Sequence, residues 1–289
     1  MQFNRIKTVF LLALMSSLFF LVGHLIGGTN GLAIALVMAC LFNFVTYYFS
    51  DKMVLAMYRA QPLDKNKYAW IYEIVEELCF QAGLPMPKLW LVPGSTANAF
   101  ATGRNPAHAS VAVTEGILEI LDANELRGVL AHEMSHIKNR DILVCTVAAT
   151  LAAAISYVAQ MMQWAMIFGG SSRDRENRGG GLLPALAIII ITPLAATLLQ
   201  LAISRSREYL ADETGAKTCH DPLALASALE KLHGSAQRSH REAASPAEAA
   251  TASLCIVNPF SMKGVMHLLS THPPMEERVK RLRAMARGK

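Results

Sequence analysis

Apolar positions are spread unevenly along the chain. Four long runs carry no Asp, Glu, Lys or Arg: residues 8–26, 32–49, 142–168 and 182–203. A run of about 18–20 apolar residues is long enough to cross a bilayer as a helix. Gly27-Gly28-Thr29-Asn30-Gly31 separates the first two runs, so residues 1–49 predict a hairpin of two membrane helices. Tyr47, Tyr48 and Phe49 close its second arm as an aromatic belt. Arg5 and Lys7 ahead of the first run are also what a signal peptide carries. The length of that run, the lack of a small-x-small cleavage pattern and the immediate second run point instead to a retained helix. His24 lies near one end of it and reads as interfacial. The fourth run contains Pro184 and Pro193, which kink a membrane helix without forbidding it. A loop rich in Gly and charge, residues 169–181, joins it to the third.

The remaining segments alternate polar and apolar positions at the spacing of ordinary elements. Ile71, Ile74, Val75 and Leu78 predict an amphipathic helix over 68–82, stopped by Gly83. Pro85 and Pro87 keep the following chain extended. Strands are expected at 88–92, 97–102 and 110–114, the last two joined by Gly103-Arg104-Asn105-Pro106. A short helix over 114–121 leads to a longer one. Asp122 caps it, Glu125 follows three residues on, and Leu126, Val129 and Leu130 form its apolar stripe. Residues 204–234 predict a polar helix, and 235–253 a flexible linker of Ala, Ser, Glu and Arg. The last segment, 259–289, carries Ser270-Thr271-His272-Pro273-Pro274 ahead of an amphipathic helix. The expected fold is a mainly α membrane protein: a transmembrane hairpin (1–49) and a cytoplasmic α+β domain in two parts (50–141 and 204–289). Two further hydrophobic helices (142–203) interrupt that domain.

Composition agrees with a membrane class. Hydrophobic residues make up 53% and charged residues 17% of the chain. The net charge of +5 does not point to nucleic acid, because the basic residues are dispersed and many flank the apolar runs. With four spans, Arg5, Lys7, Lys52, Arg59, Lys138, Arg140, Arg205 and Arg207 share one side, which the positive-inside rule makes cytoplasmic. Arg173, Arg175 and Arg178 oppose that count, unless runs three and four form a re-entrant pair. Five cysteines without a C-x-x-C exclude neither fold nor function, but they offer no disulfide framework and no Cys-based zinc site.

The chemistry is concentrated in His132-Glu133-Met134-Ser135-His136, an H-E-x-x-H. Four residues apart on a helix, the two imidazoles share one face and can hold one Zn²⁺, with Glu133 placed to take a proton from water beside it. A catalytic zinc needs a third protein ligand. Glu208 and Asp212 lie four apart on the predicted helix after the fourth run. Glu208 can complete the ligand set. Asp212, on the same face, can accept a hydrogen bond from the far nitrogen of a ligand histidine. Both ligand-bearing helices leave membrane runs, His136 about 10 Å before the third begins, so packing those runs together assembles the site near the bilayer surface.

Over essentially its whole length the chain resembles the HtpX family of bacterial membrane-embedded zinc metalloproteases, within the gluzincin group that includes the CAAX prenyl endopeptidases. The likeness rests on the N-terminal hairpin, Asn98-Ala99-Phe100, Thr114-Glu115-Gly116, the H-E-x-x-H, Glu208 with Asp212, and Thr271-His272-Pro273-Pro274 running into Glu277-Arg278. It implies a multi-pass endopeptidase of the bacterial cytoplasmic membrane, with one zinc per chain held by His132, His136 and Glu208. Glu133 is then the catalytic acid and base. His272 stabilises the oxyanion, and Asn98 binds substrate backbone. It implies misfolded membrane proteins as substrates in stress-related quality control, the lipid bilayer as partner, and self-cleavage on solubilisation. An extended substrate is expected to pair beside the strand at 110–114. Two other readings are a narrower endopeptidase trimming lipidated or signal-type peptides, and a zinc-binding scaffold without proteolysis. Transport is disfavoured by the absence of charged residues inside the four runs.

Overall fold

The computed structural model describes residues 2–152, 155, 205–239, 254–256 and 273–288. The loop at 169–181, the fourth apolar run and His272 lie outside the described residues, as does most of the third run. The first helix, α1 (Gln2–Met57), is two arms that meet at Gly28, where φ 54° and ψ −133° break the helix. Glycine alone takes up that backbone at little cost. Contacts hold the arms together: Asn43 Nδ2 donates to Ser16 Oγ at 2.8 Å, and the Phe19 and Phe42 rings lie 5.5 Å apart. The second arm, Gly28–Met57, is the one helix among the described residues long and apolar enough to cross a membrane; Ile6–Leu21 and α5 (Ile142–Ala152) are shorter apolar helices. The second arm does not end at the aromatic belt. It continues about two turns to Met57, and Lys52 Nζ lies 5.1 Å from the Phe49 ring centroid.

The α+β part is built on a four-stranded sheet of order β1-β2-β4-β3. Its strands are β1 (Gln61–Pro62), β2 (Lys88–Val92), β3 (Ala99–Gly103) and β4 (Ala109–Thr114). β2 and β4 are parallel, while β3 runs antiparallel to β4 with Phe100 opposite Ala112. The expected strand at 110–114 is therefore internal, paired on both sides. The edge strand beside it is β3, so a substrate cannot add directly beside 110–114, which corrects the expected pairing position. β1 has no sequence signal, being two residues long and ending in proline.

Seven further α-helices are described: α2 (Ala69–Ala82), α3 (Glu115–Ile120), α4 (Ala123–Lys138), α5, α6 (Arg205–Cys219), α7 (Pro222–Ser239) and α8 (Met275–Ala286). The polar helix expected over 204–234 is two helices. The chain turns at His220, with φ 57°, and restarts at Pro222, a residue suited to a first helical position. α7 also takes in the first five residues of the expected linker and ends at Ser239. Apolar side chains of α2 (Ile71, Val75, Leu78), α4 (Leu126, Val129, Leu130, Met134, Ile137), α7 (Leu225, Leu229, Leu232) and α8 (Val279, Leu282) join the sheet in one core. α4 runs through its middle.

The start of α4 is pinned twice. Asp122 Oδ1 accepts the N–H groups of Asn124 and Glu125, and Glu125 Oε2 accepts that of Asp122. Glu125, only 4% exposed, also takes 2.7 Å bonds from Ser227 Oγ and Lys231 Nζ of α7. Burial would raise its pKa, but the Lys231, Ser227 and backbone bonds together hold it below the usual carboxylate range. Its contribution is therefore present at neutral pH and lost as pH falls through that depressed value. Glu125→Ala is expected to cost about 2 kcal/mol, from the lost cap and the orphaned Lys231. A thermal melt should fall by roughly 4–8 °C, whereas Glu119→Ala, on an exposed position, should leave it unchanged.

Candidate metal centre

The site forms where α6 lies against α4. Gly215 permits the approach: a Cβ there would stand 2.9 Å from the backbone N and Cα of His132. The helices run in opposite senses, so Asp212 meets His132 and Glu208 meets His136, the turn-by-turn match that i,i+4 spacing on both makes possible.

His132 Nε2 and His136 Nε2 are 3.3 Å apart. Glu208 carboxylate oxygens lie 3.8 Å from the first and 3.6 Å from the second. All three ligand atoms fall within 4.8 Å of one another. The outer nitrogens face carboxylates: His132 Nδ1 is 2.9 Å from Asp212 Oδ1, and His136 Nδ1 is 3.4 Å from Asp141 Oδ2. Each ring thus holds its neutral-form proton on Nδ1 and turns a lone pair on Nε2 toward the same point. With both rings neutral, two lone pairs and a carboxylate converge on one buried point, which calls for a cation between them: a metal ion, or without one the proton that His136 takes up. The donor set of two imidazoles and one carboxylate is that of a catalytic zinc site.

Glu133 is 3% exposed and points to the edge strand, where Oε2 accepts the Ala101 N–H at 2.9 Å. Burial pushes its pKa up to about 8, and the charge of Glu208 adds to the rise. For His136 burial works downward, but Asp141, Glu208 and Glu133 outweigh it and raise the ring to about 9. Both shifts favour the protonated form near neutral pH in the metal-free chain. A ligating imidazole must give its proton up. Zinc uptake at pH 7 is expected to release one to two protons per ion, with affinity rising toward pH 9. Calorimetry in two buffers of different ionisation enthalpy measures this, and release of none would contradict it.

Three supports escaped the sequence reading. Arg278, fully buried, donates from Nε and Nη2 to both oxygens of Asp212 at 2.7 Å, while its Nη1 reaches the Ile256 carbonyl at 3.1 Å. Burial would raise the Asp212 pKa, but Arg278 and His132 hold it down, so the carboxylate stays ionised against the ligand ring. Asp141, just past the end of α4, orients His136 and is itself held by Asn4 Nδ2 at 2.8 Å, with Arg207 Nε at 3.6 Å. The first turn of α1 is thereby tied to a ligand histidine. Gly215 is the third. Of these, Arg278 alone left a trace, as the end of the 271–278 motif on which the resemblance rests.

Asn98 is buried at the start of β3. Its Oδ1 accepts the Ile256 N–H at 3.3 Å and its own N–H goes to Thr114 Oγ1 at 2.9 Å. The described bond of the carboxamide thus runs to the segment that also holds Arg278, not into the triangle of ligands.

Two histidines and a glutamate around one point, with a buried glutamate between them and an edge strand, define a metallopeptidase of the H-E-x-x-H type. The profile of "Peptidase family M48" matches residues 65–286, and the chain belongs to that family. It is a metalloprotease, a hydrolase of peptide bonds. It is 53% identical to the protease HtpX homolog of Syntrophobacter fumaroxidans, over 98% of this chain and 99% of that one. It is 54% identical to the protease HtpX homolog of Aquifex aeolicus, over 92% and 88%, and 49% identical to that of Paraburkholderia phytofirmans, over 99% and 98%. The crystal structure of S. mikatae Ste24p shares the fold, with a TM-score of 0.53 at 18% identity, over 96% of this chain. This chain spans 65% of the length of Ste24p.

Proposed function

We propose that the protein is a zinc-dependent endopeptidase of the bacterial cytoplasmic membrane that cuts misfolded membrane proteins on the cytoplasmic side. The observation that carries this reading is the convergence of His132 Nε2, His136 Nε2 and Glu208 beside buried Glu133. His132, His136 and Glu208 would hold one zinc ion, which when bound supplies Lewis acidity to a carbonyl and lowers the pKa of water. Glu133 takes a proton from the attacking water and returns it to the leaving amine. A carboxylate already displaced toward neutral pH suits both directions of that transfer. Asp212 and Asp141 keep the two rings turned inward. An extended substrate would pair along β3, the edge strand beside Glu133, through main-chain hydrogen bonds, a mode that reads little sequence and fits damaged proteins of many kinds. Asn98 braces the start of that edge, and His272 steadies the oxyanion.

The hairpin at 1–49 and the apolar segment at 142–203 anchor the two halves of the protease domain, 50–141 and 204–289. Long apolar runs and the basic residues that flank them support this arrangement and the cytoplasmic placement. The test is a panel of unrelated unfolded proteins offered to detergent-purified chain, chelated and then reloaded with zinc. Cleavage at varied bonds, and slow cutting of the chain itself, should return only with the metal. Cleavage of a single bond type would favour the narrower endopeptidase, and zinc uptake with no cleavage the scaffold.

A further inference from the structure

We propose that the cavity between the first arm of α1 and the junction of α4 with α5 binds one anionic phospholipid. Its phosphate would meet Arg104 and Arg140, and an acyl chain would lie along Leu12, Leu143 and Val144. The inference rests on the membrane-bound reading above. The cavity measures about 430 Å³, within the range of roughly 300–1,000 Å³ typical of sites that enclose small organic ligands.

Its walls change character along one direction, in the same sense on both sides. On α1, Asn4 precedes Leu12; across the junction, Arg140 precedes Leu143 and Val144. Leu12, Leu143 and Val144 belong to the apolar cluster that joins α1 to α5. A phospholipid has this polarity over this short span. A free phosphate gains nothing from the apolar end.

The basic end adjoins the aromatic residues that close the apolar part of the hairpin. Tyr47 lines the cavity, and the Arg104 guanidinium lies 5.2 Å from the Tyr48 ring centroid. Tyrosine and arginine side chains with apolar bodies and polar tips settle at the depth of lipid headgroups. Neither Arg104 nor Arg140 makes an ion pair with a described residue. The acidic group beside them, Asp141, is engaged by Asn4, His136 and Arg207. Two guanidiniums without a carboxylate partner among the described residues offer the planar paired donors that fit phosphodiester oxygens.

The experiment uses the full, zinc-loaded chain. Binding of phosphatidylglycerol and phosphatidylcholine is measured by native mass spectrometry from detergent, with glycerol phosphate as soluble competitor. Sedimentation with vesicles of each lipid is run alongside. One phosphatidylglycerol per chain should be retained, at least tenfold more tightly than phosphatidylcholine, and undisturbed by glycerol phosphate. Arg104→Gln with Arg140→Gln should abolish the preference while melting temperature and zinc content stay constant. Arg238→Gln with Arg287→Gln, the same loss of charge elsewhere, should leave it intact. Equal retention of both lipids, competition by glycerol phosphate, or an equal effect of the two variant pairs would overturn the proposal. A chain that sediments with neither vesicle would sink the membrane reading itself; one that sediments with both and shows no preference would sink the lipid site alone.

Discussion

Glu133→Gln is expected to abolish cleavage of an unfolded protein by at least about 10³-fold, equivalent to roughly 4 kcal/mol of barrier, while zinc content stays at one per chain. The amide keeps the shape of the side chain but can neither take a proton from water nor return one. Its oxygen still accepts the Ala101 N–H that Glu133 Oε2 accepts at 2.9 Å, so the fold around β3 has no reason to change. The three ligand atoms are untouched. A variant that binds zinc and cuts within about tenfold of the native rate would remove Glu133 from the chemistry. Self-cleavage should stop in the same variant, which makes intact chain after prolonged storage in detergent an independent readout.

The second large effect is expected at a residue behind the ligands: Arg278 grips Asp212, and its Nη1 lies 3.8 Å from Glu208 Oε2. Arg278→Met removes both 2.7 Å bonds to Asp212 and leaves that carboxylate buried beside His132. Breaking a buried ion pair from one side costs about 3–5 kcal/mol. The pKa of Asp212, held down mainly by Arg278 against the effect of burial, should then rise until the group carries a proton. A protonated Asp212 no longer holds the His132 ring, and zinc affinity should fall about 10–100-fold. A double variant, Arg278→Met with Asp212→Leu, separates the two consequences. It should recover much of the folding stability, because the buried Asp212 charge goes with its partner, and recover none of the zinc affinity. Full recovery of zinc affinity in the double variant would show that the pair serves the fold alone. Arg278→Lys should fall between the native chain and Arg278→Met, since an ammonium keeps a charge beside Asp212 but cannot donate two parallel bonds to one carboxylate.

What the sequence made legible was local. His132 and His136 share a face because of a four-residue spacing, and Asp122 with Glu125 marks the start of their helix because a capping box is a contact between near neighbours. Strand β2 appears where its pattern places it, after two prolines that force extension. Contacts between distant residues were not legible. Nothing near Asn4 signals that it will hold Asp141, 137 positions away. Asp141 itself passes for an ordinary residue after a helix end. Arg278 sits among Glu276, Glu277, Lys280, Arg281 and Arg283, a run that looks solvated throughout, and only docking of α8 buries one member. The identity of the edge strand also depended on tertiary order. The β3 and β4 patterns are alike, and pairing of β2 with β4 rather than β3 decides which is free. Helix α7 overran its expected end because Ser235, Ala236 and Gln237 tolerate a helix once its start is anchored by Asp221, whose Oδ1 accepts the Ala224 N–H.

The central claim is that His132, His136 and Glu208 hold one zinc ion at which the protein works. X-ray absorption at the zinc edge, on full-length chain loaded with one equivalent, tests it most directly. The expected spectrum shows only nitrogen and oxygen neighbours, with the multiple scattering of two imidazoles, and a His136→Ala sample loses one imidazole together with activity. A spectrum with sulfur neighbours, or one unchanged by His136→Ala, would place the metal elsewhere and contradict the site.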